Sequence, residues 1–131
     1  MGYTSQAAAY RGSEALAAPP DQLVVNVYDQ LLVSLRRARL AVDGAPAEVR
    51  CATLERCRAI LLELLVTVDL DRGGEAAREL SGLYTFLLGE LVDVGLHDDA
   101  RRLDRITALV GELRDSAARA VSQTEEWEAA R

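Results

Sequence analysis

The stretch that decides the fold runs from Val66 to Leu91 and reads VTVDLDRGGEAARELSGLYTFLLGEL. It opens with a short acidic turn that ends in the paired glycines Gly73 and Gly74. In the helix pattern that follows, large apolar residues return every three or four positions, which is typical of a helix packed in a bundle. These apolar residues are Leu80, Leu83, Tyr84, Leu87, Leu88 and Leu91. Two long helix patterns precede this stretch and one follows it.

Two helices are predicted ahead of the opening stretch. The first begins at Pro20, since proline suits the first turn of a helix, and it ends before Gly44. The second runs from about Pro46 to Val68. Each carries an apolar stripe at helical spacing. The stripe residues are Val24, Tyr28, Leu31, Leu35, Ala38 and Val42 in the first helix, and Leu54, Cys57, Leu61, Leu64 and Val68 in the second.

The second half of the second helix is apolar on nearly every side. Ile60, Leu62, Leu65 and Val66 add to its stripe. A helix with one side in water does not need so many apolar residues. Two explanations follow: this half lies at the centre of the bundle, or it presents a surface that a partner covers.

The ends of the third helix are predicted from its glycines. Gly73 and Gly74 close the acidic turn that starts at Asp69, so the third helix is expected to begin at Glu75. Gly95 is the expected C-cap, because a left-handed conformation costs glycine least.

The fourth helix completes the fold. Asp98 or Asp99 is a suitable N-cap, and Asp98 is placed to pair with Arg102 one turn on. Four amphipathic segments joined by short turns predict an all-α fold, an antiparallel four-helix bundle with a short N-terminal arm. The predicted division is an arm over residues 1–18, the bundle over 19–122, and a tail over 123–131 that either extends the fourth helix or frays.

Composition excludes several classes of protein. The net charge of −6 argues against nucleic-acid binding, which needs a basic surface. The sequence shows no signal peptide, and it lacks the run of about twenty apolar residues that a membrane span requires. Cytoplasmic location without membrane insertion is therefore expected. Cys51 and Cys57 are expected to be buried free thiols, because their spacing places them on different helix faces.

No residue pattern indicates catalysis or a bound metal. Asp69, Asp71 and Glu75 lack the further oxygen ligands of a calcium loop, so helix capping explains them better. His97 is the single histidine and has no second ligand near it in sequence. Phosphate-binding glycine motifs are missing too. We therefore expect a binding protein with no cofactor, no metal and no enzymatic activity.

Three motifs in order give the chain a family resemblance. The first is a tyrosine, Tyr10, followed by a proline helix start at Pro20 and the segment LVVNVYD over residues 23–29. The second is the acidic turn that leads into GGEAARELSGLYTFL over residues 73–87. The third is Leu-Arg-Asp at 113–115. Together they resemble the flagellin secretion chaperones of the FliS type.

The resemblance implies a cytosolic chaperone that holds the C-terminal segment of flagellin. In this family the client is disordered before assembly, wraps around the bundle as helices, and is later released to a component of the flagellar export gate. Tyr10 would take part through the N-terminal arm, which lies near the client path. The residues expected next to the client are Tyr10, Val24, Val27, Tyr28, Leu83 and Leu87.

A second hypothesis needs no flagellin client. The surplus apolar face would then be the interface of a homodimer, and the chain would be a self-associating structural or adaptor bundle.

Overall fold

The computed structural model of the protein describes the backbone of residues 20–131 and the side chains of residues 22–131. The predicted arm over residues 1–18, with Tyr10, lies outside the described residues. Within the described range the chain forms four helices and no strands. The helices are α1 (Pro20–Val42), α2 (Ala47–Thr67), α3 (Leu70–His97) and α4 (Ala100–Ala129). Residues 123–129 are therefore helical.

The four helices pack as a square. α1 contacts α2 and α4, and α3 contacts the same two helices from the opposite corner, with the sparsest packing between α3 and α4. Arg39 pairs with Asp104 while Asp29 pairs with Arg114, both at 2.9 Å, so α1 and α4 run in opposite directions. The short links make the other neighbours antiparallel as well. The predicted antiparallel four-helix bundle is confirmed.

The core is aliphatic, as the low aromatic content of the sequence requires. Leu31, Leu35, Leu61 and Leu103 are completely buried. Each fully buried leucine contributes about 1.5–3 kcal/mol relative to an exposed one. The remaining core side chains include Ile60, Leu64, Leu87, Leu91, Val94, Ile106 and Val110.

One hydrogen bond crosses the core along its diagonal. The hydroxyl of Tyr28 on α1 lies 2.5 Å from the hydroxyl of Tyr84 on α3, and both side chains are buried. Burial raises the pKa of both phenols above the ordinary value, and the shared hydrogen bond partly offsets the rise at Tyr28. The pair is therefore neutral at physiological pH and joins two helices that are not neighbours.

The link between α2 and α3 is shorter than predicted, because an additional helical turn precedes the paired glycines. Asp69 is the N-cap, and its carboxylate accepts hydrogen bonds from the backbone N–H groups of Asp71 and Arg72. Helix α3 as a whole thus begins at Leu70, within the expected turn. Gly74 interrupts its helical geometry, so the regular helix that continues to His97 begins at Glu75, as predicted. Capping of this kind satisfies backbone donors that have no partner inside the helix.

Glycine is required at the two positions near the start of α3 for different structural reasons. Gly74 has φ 58° and ψ −136°, a conformation open essentially to glycine alone, and it kinks α3 just after its first turn. Gly73 has ordinary helical geometry, but an added Cβ there would lie 2.4 Å from the Cβ of Ala77. One glycine is required by the backbone and the other by space.

The link between α3 and α4 also corrects two predictions. Helix α3 continues through Gly95 to His97, and the left-handed C-cap is Asp98, with φ 49°. Gly95 packs beside α2 instead, where an added Cβ would lie 3.8 Å from Leu54 Cδ1. Asp98 pairs with Arg50 of α2 at 3.3 Å, so the predicted pair of Asp98 with Arg102 was wrong.

Arg102 instead ties α4 to α3. Its guanidinium donates to Glu90 at 2.5 Å and to Asp99 at 3.4 Å, with Asp93 at 3.6 Å. These partners, Glu90 foremost, raise the pKa of Arg102. Asp99 is the N-cap of α4 and was one of the two expected alternatives. Its carboxylate accepts a hydrogen bond from the backbone N–H of Arg102, which lowers the pKa of Asp99. Ion pairs therefore strengthen the contact between α3 and α4, the two neighbouring helices with the sparsest packing.

The cysteines differ in exposure. Cys57 is completely buried, and burial raises the pKa of its thiol to about 12. Cys51 is exposed, so the expectation that both thiols are buried was wrong for this residue. Both are free thiols, as expected.

Truncation of a core leucine should destabilise the bundle much more than truncation of an exposed one on the same helix. Leu35→Ala leaves a cavity where the side chain was completely buried, so the free energy of unfolding should fall by about 2–5 kcal/mol. Leu40→Ala is the matched control, because Leu40 is 77% exposed, and its effect should stay within about 0.5 kcal/mol. Urea denaturation measures both, and equal losses would contradict the assigned core.

The tyrosine pair should make stability depend on alkaline pH. Its pKa values are higher in the folded chain than in the unfolded chain, so its contribution is complete below about pH 10 and is lost as pH rises through the folded values. Tyr84→Phe alone strands a buried hydroxyl, whereas the double variant Tyr28→Phe/Tyr84→Phe removes both. The double variant should lose less stability than the wild type between pH 9 and pH 11, measured as urea midpoints. An unchanged pH profile would show that the pair does not titrate with unfolding.

Candidate protein-binding surface

Large apolar side chains remain in water on the outside of the bundle. Among the described residues, ten are exposed, and α2 and α3 carry seven of them. Exposure ranges from 40% at Val66 to 77% at Leu40. The seven are Val49, Leu62 and Val66 on α2, and Leu70, Phe86, Val92 and Leu96 on α3. Exposed apolar side chains in this number on two neighbouring helices of a small protein indicate an interaction surface.

The ion pair between α2 and the end of α3 shows which of these residues lie at the same height along the bundle axis. Arg50 of α2 pairs with Asp98, the C-cap of α3, and the two helices are antiparallel. Leu62 therefore lies at about the same height along the bundle axis as Phe86. Val66 is one turn from Leu62 on the same side of α2. We call Leu62 and Val66 on α2, with Val92 and Leu96 on α3, the α2–α3 apolar surface. Phe86 lies on the other edge of α3, because Glu90 one turn on pairs with Arg102 of α4.

This surface decides between the two explanations for the apolar second half of α2. Ile60 is buried and Leu65 is partly buried against the core, but Leu62 and Val66 are exposed by 41% and 40%. A central position in the bundle is therefore the wrong explanation for Leu62 and Val66. They form a surface.

The outer side of α3 is unusually open along its middle. Gly82 and Gly89 flank Phe86 at helical spacing, and an added Cβ at either glycine would meet no atom within 4 Å. Phe86, the only phenylalanine of the chain, is 56% exposed between them. A partner helix could approach the backbone of α3 closely here and contact the ring from the side.

The residues predicted to adjoin a client occupy different environments. Tyr28 and Leu87 are buried in the core, with 3% and 1% exposure. Val24, Val27 and Leu83 are partly buried and pack against the core from its edge. Leu83 lies one turn before Phe86, so it borders the exposed surface, whereas Val24 and Val27 lie on α1. Tyr10 is outside the described residues, and client contact by all six stays a prediction.

The sequence reasoning missed exposed apolar residues of α3. Phe86, Val92 and Leu96 fall outside the stripe of α3 that points to the core. Their signal was present as apolar residues at positions where the helix period predicts polar ones. Searching for such off-stripe residues would have selected them.

Other chemistry is not indicated by the part of the chain that the structure describes. In that part no three histidine, cysteine or acidic side chains gather in a way that could hold a metal ion. Asp69, considered above as a metal ligand, caps α3. None of the described helices combines the length and hydropathy needed to span a membrane.

Comparison with known proteins places these features in a family. The model of the family described as flagellar protein FliS matches residues 3–124. A flagellar secretion chaperone FliS of Campylobacter jejuni is 33% identical over 98 residues, which are 75% of this chain and 77% of that protein. The FliS of Salmonella typhimurium is 27% identical over 105 residues, 79% of this chain and 78% of that protein.

A solved structure shares the fold. The crystal structure of a bacterial flagellar chaperone superposes with a TM-score of 0.76, covers 87% of this chain and 93% of its own, and is 17% identical. At 17% identity, this similarity supports the fold alone. The family match over residues 3–124 is broader, and it agrees with the three motifs found in the sequence. This chain belongs to the FliS family of flagellar proteins.

Proposed function

We propose that this protein is a cytosolic export chaperone that binds the disordered C-terminal segment of flagellin. In this function it prevents premature polymerisation and delivers the client to the flagellar export apparatus. Family membership supports the role, and relatives of this chain carry the name flagellar secretion chaperone. The observation that carries the proposal is the set of large apolar side chains on α2 and α3 that the packing of the bundle leaves exposed, with Phe86 on α3 foremost.

The energetics of a disordered client fit such a surface. A segment that folds on binding loses about 1–2 kcal/mol of backbone entropy per ordered residue. Apolar burial, worth about 25 cal/mol per Å², is the main term that offsets this loss. A long client that wraps the bundle can bury a large area while each contact stays weak, so that a competing surface can release it.

The shape of α3 favours a helical client. With glycines on either side of Phe86, the outer side of α3 lets a second helix come close without displacing side chains. An amphipathic helix would set its apolar face against Phe86 and Leu83. Val24 and Val27 on α1 would contact a client that continues around the bundle. Tyr28, buried at the core, would act on the client only through the position of α1.

The mechanism needs neither a cofactor nor a catalytic step, and a chaperone family is not an enzyme class. Release is assigned to competition at a component of the export gate, which would bind the loaded complex or the client itself. The alternative of a structural bundle without a client gains nothing from the family match.

Replacement of Phe86 should separate client binding from stability. Phe86→Asp puts a charge on the exposed outer side of α3 and should weaken binding of a flagellin C-terminal peptide by at least about tenfold, or about 1.4 kcal/mol. Because Phe86 is largely exposed, the melting temperature should change little. Leu40→Asp on α1 is the matched control and should bind the peptide as the wild type does. Titration calorimetry gives the affinities.

A second substitution, one turn from Phe86, tests whether a loss of peptide affinity could come from unfolding. Gly89→Leu replaces an exposed helical glycine, which should raise helix stability by up to about 1 kcal/mol. The same side chain would block close approach of a client helix, so affinity should fall while stability rises. Wild-type affinity in both Phe86→Asp and Gly89→Leu would contradict the proposed site, and no peptide binding by the wild type would contradict the function.

A further inference from the structure

A cleft of about 350 Å³ opens on the face of the bundle formed by α1 and α2. Ligand pockets have volumes of about 300–1,000 Å³, so this cleft lies at the lower end of that range. It is too small to hold a helix, which is about 10–12 Å across with its side chains. The cleft therefore suits one or two side chains of a partner.

The floor of the cleft carries a hydroxyl group that has no partner among the described residues. Ser34 is 6% exposed and lies on α1 beside the core residues Leu31 and Leu35. Hydroxyls inside helices often donate to a backbone carbonyl one turn back. Thr53, across the cleft, donates in this way to Arg50 at 2.9 Å, but Ser34 does not. Because no side-chain oxygen of the described part is both unpaired and sealed from solvent, the Ser34 hydroxyl faces the open cleft.

Two arginines line the cleft from opposite helices. Arg37 on α1 and Arg56 on α2 are exposed, and neither forms an ion pair within residues 22–131. Arg39 and Arg58, two positions further along each helix, both have carboxylate partners. A guanidinium has five donors and no acceptor, and a carboxylate matches it in charge and geometry. On a chain of net charge −6, this cleft is a local site for an anion.

The single acidic residue of the cleft lining lies at one end of the cleft. Glu48 is eight residues before Arg56 on α2, so the two are about 12 Å apart along the helix axis. Arg37 lies level with Ala52, because each is five residues from the link between α1 and α2. Glu48 is therefore one turn nearer to the link than Arg37. The other end of the cleft, with both arginines, is positive.

The cleft and the side of α3 that carries Phe86 belong to opposite faces of the bundle. Phe86 lies on the edge of α3 that faces α4, as the pair of Glu90 with Arg102 shows. The cleft lies between the other two helices. A client helix held at Phe86 therefore leaves the cleft open, and a second partner can bind at the same time.

We propose that the α1–α2 cleft binds an acidic segment of a second protein partner, distinct from the flagellin client. A carboxylate of that segment lies between Arg37 and Arg56 and accepts a hydrogen bond from the Ser34 hydroxyl. An apolar side chain beside the carboxylate contacts Val49, which lines the cleft and is 46% exposed. The proposal stands on the cleft alone and does not need the client site.

A short acidic peptide tests the cleft in the full chain. The probe has four glutamates around a central leucine, and its control has glutamines in their place. At low salt the probe should shift the backbone amide resonances of residues 33–37 and 52–57, with a dissociation constant at or below about 1 mM. The glutamine peptide should bind at least about tenfold more weakly, because it has no carboxylates.

Substitutions in the cleft should remove this binding without affecting the fold. Arg37→Glu/Arg56→Glu should weaken the probe by at least about tenfold. Arg101→Glu/Arg105→Glu on α4 is the matched control, with the same change of charge at exposed arginines outside the cleft, and should bind as the wild type does. Ser34→Ala should weaken binding by at least about threefold. Its melting temperature should stay unchanged, because no hydrogen bond within the described chain is lost.

The proposal is overturned if the probe shifts no resonance near the cleft at several millimolar, or if Arg37→Glu/Arg56→Glu binds it as the wild type does. Inorganic phosphate that displaces the probe at equal concentration would also overturn it, by assigning the cleft to a small anion. Flagellin C-terminal peptide should bind Arg37→Glu/Arg56→Glu with wild-type affinity. A loss there would assign the cleft to an acidic part of the client. Phe86→Asp should bind the acidic probe normally, so the cleft and the client site can fail separately.

Discussion

Each helix of a four-helix bundle turns one stripe of side chains to the core, and apolar residues off that stripe stay in water until something covers them. This constraint shapes the molecule. The stripes of all four helices meet in a close aliphatic core, with Leu31, Leu35 and Leu103 completely buried. α2 and α3 carry more apolar residues than one stripe holds, so Leu62, Val66 and Phe86 remain outside. The excess is a consequence of composition, and it supplies the surface on which the proposed chaperone function depends.

The packed core holds the helices together, and polar contacts across it and around it add to the definition of their register. The tyrosine pair crosses the diagonal, while Arg39 and Arg114 join α1 to α4 at two heights. The ion pairs at the surface are worth little singly in free energy, but each has a specific geometry. Arg102 with its three acidic partners spans the sparsely packed edge between α3 and α4.

Helical periodicity predicted the fold correctly, because the core stripes are long and regular. Helix ends and ion pairs predicted from local sequence were less accurate, because tertiary contacts compete with local ones. Gly95 was expected to end α3, but it packs beside Leu54, and Asp98 takes the left-handed cap instead. Asp98 was expected to pair one turn along its own chain, yet Arg50 of α2 is its partner. For the site, the resemblance pointed to Tyr28 and Leu87, which are buried, while the exposed Phe86 was not selected although it lies within the second motif. Which face of an apolar helix stays in water depends on how the helices pair, and that information is not local.

The central claim is that burial of this exposed apolar surface drives client binding. The most direct measurement is the heat-capacity change for binding of the flagellin C-terminal peptide, obtained by titration calorimetry at several temperatures. Burial of apolar surface makes that change strongly negative, and Phe86→Asp should make it less negative along with the affinity. A change near zero, with an affinity that depends mainly on salt, would show that charge rather than apolar burial holds the client and would contradict the claim.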